Sequence, residues 1–384
     1  MELRGSPQLA GFRENSLNTA HLKACAEIAA MSFSRFKEVI EEGDTVILYI
    51  GVSQIYALEV KPKVINKNGQ GVDNVFQTKY GSVRVMDLVG KKYGSRVNLS
   101  KGWGQVLYPT PELWTITLPH RTQILYTPDI SMVLTQLEIG PGSVVCEAGT
   151  GSGSLSHAIL RAIGPTGKLH TFDFHKERVK VASEEFLRHG FGERVIVLHR
   201  DVCDEGFGVE RVADAVFLDL PKPWEALPHA VSAIKTSGGR ICSFSPCIEQ
   251  VARTCEVLQS LGLQELLTLE CLAREFQVKS ISLPRVINGQ KAPTHQNTHV
   301  NQEEKQPDQK KKKVEECVEG AESDTNTKSD EHEQSTAGNK GQQGNGDFRF
   351  TTGITQLKMP GHTGFLTFAS VPPGLPGNKL SCVA

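Results

Sequence analysis

From about Gly140 to Leu283, short apolar runs alternate with stretches of helical period, the pattern of a parallel sheet covered on both faces. The runs predict strands over Gly142–Glu147, Lys168–Phe174, Arg194–Arg200, Ala213–Leu218 and Gly239–Ser245. Helices over Ser154–Ile163, Lys176–His189, Trp224–Ile234 and Ile248–Leu261 fill the gaps. Upstream, from Phe33 to about Leu118, the pattern changes to short apolar runs (Thr45–Tyr49, Ile55–Val60, Gly81–Val85, Arg96–Leu99, Gln105–Leu107) separated by glycine-containing turns. Their spacing predicts a small barrel or sandwich. Pro109-Thr110-Pro111-Glu112-Leu113-Trp114 reads as a linker, and a helix over Ile130–Leu137 follows it.

The ends and one internal stretch behave differently. Residues 1–30 show no clean period and read as a disordered extension before a β-rich domain over 31–118 and an α/β domain over 119–286. Residues 287–346 are rich in Lys, Glu, Gln, Asn, Ser, Thr and Gly with almost no aliphatics, so they bury too little to fold and read as a disordered insertion. Order is expected again over 347–384, where Gly361–Ser370 reads as a strand returning to the sheet edge.

Composition narrows the class. A net charge of −1 over 384 residues, with a pI of about 6.9, leaves any nucleic-acid surface to a local patch or to a second subunit. The nine cysteines are scattered without a CxxC pair, which argues against a disulfide framework and a zinc site and for a reducing compartment. No apolar run approaches the roughly 18 residues of a membrane span. The chain reads as soluble and intracellular. Lys310–Lys313 is a four-lysine run that suits either a nuclear import signal or a solvated charge cluster; the expected compartment is the nucleus, with the cytoplasm second.

The chemistry centres on GSVVCEAGTGSGS, residues 142–154. A buried strand ends in Glu147, and Gly149, Gly151 and Gly153 follow at alternate positions before a helix with an apolar stripe. Glycines there let backbone N–H groups approach a ligand above a helix N-terminus. The G-x-G-x-G spacing behind an acid suits a ligand carrying an ammonium better than a diphosphate, the pattern of S-adenosylmethionine (SAM) sites. Four of the first five strands end in an acid (Glu147, Asp173, Asp201, Asp219), which puts all four on the carboxyl rim where such sheets bind ligands. Asp173 can accept both ribose hydroxyls or cap the helix that follows. Asp201 can accept from an adenine amino group, with Val202 near the ring, or serve only as a turn residue. Asp219, in Phe217-Leu218-Asp219-Leu220-Pro221, is poorly explained as a surface charge. A carboxylate there could bind an exocyclic amine and take the proton released when a ring nitrogen is methylated. Lys79, Tyr80, Arg84, Lys91, Lys92, Arg96 and Lys101, interleaved with Phe76, Tyr80, Tyr93 and Trp103, suit either an RNA surface or an ordinary solvated β face.

With these residues placed, the chain resembles the family of catalytic subunits of eukaryotic tRNA adenine-58 N1-methyltransferases. The segments that carry the likeness are PTPELW (109–114), LPHRTQILY (118–126), CEAGTGSGSLSHAI (146–159), GFGVERVADAVFLDLP (206–221) and CSFSPCIEQV (242–251). The resemblance implies a class I, Rossmann-like SAM-dependent methyltransferase domain behind a small β-rich domain. It implies N1 of adenosine 58 in the tRNA T-loop as acceptor, and an assembly of two catalytic and two homologous non-catalytic subunits. Carried over by motif, Gln123, Ile124, Leu125, Glu147, Ala148, Gly149, Thr150, Gly151, Ser152, Gly153, Ser154, Asp173, Arg178, Asp201, Val202 and Asp219 would line the cofactor, with Asp219 as the catalytic acid–base residue. Gln77, Thr78, Lys79, Tyr80, Gly81, Gly102, Trp103, Ser243, Phe244, Ser245, Pro246, Cys247, Gln250, His362 and Thr363 would approach the RNA. No metal is implied. Asp173 departs from the Glu expected in close relatives. Competing readings are an isoaspartyl-type protein methyltransferase, a non-catalytic tRNA-binding subunit and an NAD-linked dehydrogenase. The third has the wrong glycine spacing.

Overall fold

The continuous run of β-branched and apolar residues in TVILYIG commits Thr45–Gly51 (β1) to a strand, and it turns back on Gln54–Glu59 (β2) with Thr45 opposite Glu59. Two ribbons follow, Lys63–Ile65 (β3) with Gly71–Asp73 (β4) and Val75–Thr78 (β5) with Gly81–Arg84 (β6). Arg96–Leu99 (β7) pairs with Gly102–Leu107 (β8), which also pairs with β1 and sets the order β2-β1-β8-β7. The expected barrel or sandwich is therefore, among the described residues, an open four-stranded sheet with two separate ribbons. Ile40, Val46, Leu48, Val60, Leu88 and Val106 form its core. The computed structural model describes residues 33, 36–66, 68–119, 121–272, 274, 276–283, 348–355 and 364–375.

The stretch expected to be a linker is a helix, Pro111–Thr117 (α1). Thr110 caps it by accepting from the Leu113 N–H at 3.3 Å, and Pro111 occupies the first turn, where its missing N–H costs nothing. Seven residues are too few for a helical period to show in the sequence. Trp114 and Leu118 anchor the helix against Ile124, Phe33 and Ala57. Thr127–Gln136 (α2) follows.

The α/β region alternates as its pattern predicts, with one short helix, Val202–Glu205 (α5), that the pattern does not: Val144–Ala148 (β9), Ser154–Ile163 (α3), Lys168–Asp173 (β10), Lys176–Arg188 (α4), Val195–His199 (β11), then α5, Ala215–Leu218 (β12), Pro223–Ala233 (α6), Gly239–Ser245 (β13) and Ile248–Ser260 (α7). Then come Gln264–Leu269 (β14) and Phe365–Val371 (β17). The sheet order is β11-β10-β9-β12-β13-β17-β14, with β9 to β13 parallel and β17 antiparallel to both neighbours. Period-two alternation feeds two cores. Val145, Leu169 and Phe217 face α3 and α4 with Leu155, Ile159 and Phe186. Cys146, Phe172 and Val216 face α6 and α7 with Leu227, Val231 and Leu258.

The strand expected at the sheet edge lies inside it. FLTFASV is buried along nearly its whole length, which requires cover on both faces, so β17 slots between β13 and β14. The mostly exposed QELLTL of β14 takes the edge. A separate unit, residues 274–359, contributes a hairpin that the sequence pattern did not single out: Phe276–Leu283 (β15) pairs antiparallel with Phe348–Thr355 (β16). Residues 1–30 and 287–346 lie outside the described residues.

Because Phe368 is 3 % exposed between two strands, Phe368→Ala should cost about 3–5 kcal/mol in urea unfolding. Val278→Thr on the exposed hairpin should stay within about 0.5 kcal/mol.

Candidate functional site

The chain runs from β9 to β10 to β11 on one side of the sheet, then crosses to β12 on the other. The loops leaving β9 and β12 therefore part at their carboxyl ends and open a crevice. Gly149 sits at that point with φ +99°, and a Cβ there would lie 2.5 Å from the Asp219 carbonyl oxygen. The Asp219 N–H donates to Ala148 O at 2.9 Å, and Gly149 and Thr150 N–H both donate to Phe172 O at 2.8 and 3.1 Å. Gly151, at φ +52°, has its missing side chain replaced by Thr122 Oγ1, which an added Cβ would meet at 2.7 Å. Only glycine fits either position.

Residues between the glycines face the other way and fasten the loop. Ser152 Oγ accepts from the Arg121 and Thr122 N–H groups at 2.9 and 3.1 Å. Ser154 Oγ donates to Leu125 O at 2.9 Å and meets Thr115 Oγ1 at 2.9 Å. Thr150 Oγ1 lies 2.7 Å from Thr171 Oγ1. The structure thus gathers Glu147, Thr150, Ser152, Gly153 and Ser154 behind the loop, around a narrow inner cavity, while their neighbours face the open cleft.

That cleft, of about 520 Å³, collects Gln123, Ile124, Leu125, Ala148, Gly149, Gly151, Asp173, Arg178, Asp201, Val202 and Asp219, all expected there. Asp173 Oδ2 accepts from the Gly151 N–H at 3.2 Å, and its Oδ1 accepts from His175 N–H at 2.9 Å and pairs with Arg178 at 2.9 Å. Asp173 is not the cap of α4, whose N-cap is His175; its carboxylate instead holds the His175 N–H just before the helix and stands in the cleft wall. Asp201 does cap α5, accepting from Cys203 N–H at 3.0 Å, and also lines the cleft. Glu147 Oε2 accepts from Ser156 and Thr171 hydroxyls at 2.6 and 2.7 Å; burial raises its carboxyl to about 7 against the pull of those two hydroxyls. Asp219 has no side-chain hydrogen bond among the described residues, and burial raises it to about 6.

Residues 102–371 match the protein family described as "tRNA methyltransferase complex GCD14 subunit". The chain belongs to this family. It is 43% identical over 255 residues (65% of this chain, 73% of the relative) to a Candida albicans protein named as the catalytic subunit of tRNA (adenine(58)-N(1))-methyltransferase. Relatives with the same name are 45% identical in Dictyostelium discoideum, over 63% of this chain and 76% of that one, and 36% identical in Kluyveromyces lactis, over 88% of each. Among solved structures, a SAM-dependent O-methyltransferase from Thermotoga maritima shares the fold at TM-score 0.60 and 21% identity, covering 87% of this chain and 95% of that one. The tRNA (m1A58) methyltransferase from Aquifex aeolicus does so at TM-score 0.55 and 18% identity, over 87% and 98%.

The GCD14 match covers the glycine loop, Asp219 and β17 but begins after the first seven strands. At that boundary the structure gathers Gln77, Thr78, Lys79, Tyr80 and Gly81, before the match, with Gly102 and Trp103 at its start into one patch, none of them lining the cleft. Thr78 Oγ1 donates to Gly81 O at 2.7 Å, Lys101 N–H donates to Tyr80 O at 3.0 Å, and Gly102 packs beneath Tyr80. Tyr80 and Trp103 are about half exposed, and the Arg96 guanidinium lies 4.3 Å from the Trp103 ring centroid. Phe76 and Tyr93 leave this set: Phe76 packs on Tyr56, and Tyr93 donates to Asp44 at 3.2 Å.

The second expected RNA segment splits by strand period. Phe244, Pro246 and Gln250 line the cleft, whereas Ser243 and Ser245 are buried on the opposite face of β13, so their side chains cannot reach an RNA directly. Cys247 is exposed at the start of α7. His362 and Thr363 lie outside the described residues. Thr122, Phe172, Phe174, Arg200, Leu220 and Pro221 complete the cleft and were not singled out beforehand. All but Pro221, which lies two residues past Asp219, neighbour a predicted residue at a strand end or in the 120–126 segment, so extending the carboxyl-rim rule by one residue reaches the other five.

Gly151→Val adds two steric conflicts, at a left-handed φ and against Thr122. It should weaken SAM binding by at least about tenfold in isothermal titration, with the thermal transition retained. Unchanged affinity would remove the loop from the binding site.

Proposed function

We propose that this chain is the catalytic subunit of a SAM-dependent methyltransferase that forms N1-methyladenosine at position 58 in the tRNA T-loop. The observation that carries the reading is Asp219, a carboxylate at the sheet's switch point with no side-chain hydrogen bond among the described residues, pressed against the glycine loop. The residues present fit SAM. Gly149 and Gly151 leave a backbone cradle that a Cβ would fill, and a cleft of about 520 Å³ lies within the range of small-molecule sites. Gln123–Leu125, the glycine loop, Asp173, Arg178 and Asp201–Val202 would hold it. When bound, SAM supplies an electrophilic methyl group.

The protein's part is positioning and proton handling. Neutral adenine presents a lone pair at N1; once N1 is alkylated the ring is cationic and its exocyclic N6–H becomes acidic. Asp219 would orient that amine by accepting its hydrogen bond and then take the proton. With its carboxyl raised to about 6, Asp219 is ionised and able to accept at neutral pH. Phe244, Pro246 and Gln250 would enclose the base, and Tyr80, Trp103 and Arg96 would offer stacking and charge to RNA farther out.

A homologous non-catalytic subunit, two copies with two of this chain, is part of the proposal. It is supported by the family description and by Phe276, Val278, Leu283, Phe348, Phe350 and Ile354 of the β15–β16 hairpin, each 37–76 % exposed. With a net charge of −1, this chain would share the RNA surface with that partner. We place it in the nucleus on the Lys310–Lys313 run, with the cytoplasm second.

Methyl transfer from labelled SAM to unmodified tRNA, with and without the partner, tests the reading; label at adenosine 58 that needs the partner is the expected result. Transfer to peptide instead of tRNA would replace it with a protein methyltransferase. Asp219→Ala should lower kcat by about 10²–10⁴-fold with SAM affinity little changed. The wild-type rate should rise as pH passes upward through about 6, where Asp219 loses its proton, and the residual activity of Asp219→Asn should lack that limb. Val278→Glu should prevent co-purification of the partner without lowering the chain's own Tm.

A further inference from the structure

Behind the glycine loop lie two imidazoles that the chemistry above does not use. His157, in the first turn of α3, is fully buried, and its Nδ1 lies 2.6 Å from Gly153 O. A carbonyl oxygen can only accept, so Nδ1 carries a proton. The same ring's Nε2 lies 2.8 Å from His189 Nδ1, at the end of α4. In a neutral ring that Nε2 is an acceptor, so His189 Nδ1 must donate. The hydrogen bonds thus form a one-way chain, from His189 through His157 to the carbonyl of the last loop glycine. Both rings are held neutral by burial, which lowers His157 to about 4 and His189 well below its ordinary value.

The chain's far end is fixed by packing from outside the α/β layer. His189 stacks on Phe33 at 4.2 Å and meets Trp114 of α1 edge-on at 4.8 Å. Phe33 and Trp114 are themselves 5.5 Å apart, and Trp114 is 5 % exposed. His189 also borders a cavity of about 430 Å³ walled by Ala57, Leu58 and Phe76 of the N-terminal sheet region. His157, Glu185 and His189 offer ligand atoms within 4.8 Å of one another, a spacing that suits a cation. The Arg121 guanidinium already pairs with Glu185 at 2.9 Å, and the imidazoles already share a proton, so hydrogen bonding accounts for the trio.

We propose that His157 and His189 are positioning residues for the SAM loop. His157 fixes the orientation of the Gly153 peptide, hence the direction of the loop N–H groups, and His189 selects the tautomer of His157 that can do so. Ring packing through Phe33 and Trp114 makes the N-terminal region the support of this arrangement. The proposal rests on the SAM reading of the cleft, and the tests below separate the two. If the wild-type chain bound no SAM, that reading would fail and the proposal with it; if wild type binds, the variants decide the proposal alone.

His157→Phe keeps the ring packing and removes the donor. It should weaken SAM binding on the order of tenfold, raise the KM for SAM to match, and leave kcat at saturating SAM within about twofold. His157→Asn, which keeps an N–H near the Nδ1 position, should restore most of the affinity. His189→Phe should weaken binding less, and the His157→Phe/His189→Phe double variant should be no worse than His157→Phe, since His189 acts only through His157. In the ligand-free chain, amide exchange over residues 149–154 should quicken in His157→Phe and not in His157→Asn. Additive effects in the double variant, or equal SAM affinity for His157→Phe and wild type, would overturn the proposal. If His157→Phe fails to fold, the His189→Phe and His157→Asn affinities test it by themselves.

Discussion

The contact between Gly149 and the backbone of Asp219 is the constraint on which the rest of the site depends. Parallel pairing of β9 with β12 puts Ala148 opposite Leu218, and one residue later both chains must leave the sheet in opposite directions. They part with the Asp219 N–H still bound to Ala148 O and with the Asp219 carbonyl occupying the space of a Gly149 side chain. A single missing Cβ therefore sets the distance between the loop expected to hold the cofactor and the carboxylate expected to handle the proton. Neither loop can shift without the other.

Around that contact the hydroxyls do as much as the glycines. Thr150, Ser152 and Ser154 alternate with the three glycines and each is turned inward, to Thr171, to the Arg121–Thr122 backbone and to Leu125 with Thr115. An unsatisfied buried hydroxyl or amide is costly, so these bonds hold the 121–125 segment against the loop and make it a wall of the cleft. The segment leads on from α1, so the N-terminal region and the α/β layer meet at the cofactor loop twice, once through these hydroxyls and once through the Phe33–Trp114–His189–His157 stack.

The site's electrostatics follow from the same burial. Glu147 and Asp219 are both raised by loss of solvent, Glu147 with two hydroxyls opposing the shift and Asp219 with none. Asp173 is instead tied by a guanidinium and two backbone N–H groups. Three acids on one rim thus have distinct settings: one is anchored behind the loop, one braced within the wall, and one bare on the cleft.

The strands and helices of the α/β layer, the glycine loop and the acids on its rim were legible in the sequence because each rests on local rules: period, a glycine spacing, an acid at a strand end. Eleven of the residues expected at the cofactor do line the open cleft together. What local rules could not decide is what depends on neighbours distant in the chain. The α1 segment looks like a linker in sequence because Pro-Thr-Pro signals a break and seven residues carry no period; Trp114 finds its burial against Phe33 and Ala57. β17 lies inside the sheet and not at its edge, and nothing local says how many faces a strand will have covered. Ser243 and Ser245 were expected at the RNA, but the pleat turned them under α7 and left Phe244 to the cleft. The direction of the His189–His157 chain is the extreme case: it depends on which His157 nitrogen the Gly153 carbonyl leaves free to accept, and His157 is itself 32 residues from His189 in sequence. Sequence alone determined which chemistry could be assembled here, since residue type and spacing are properties of the chain. Tertiary structure decided which way each side chain faces, because facing is set by burial against partners that only the fold brings near.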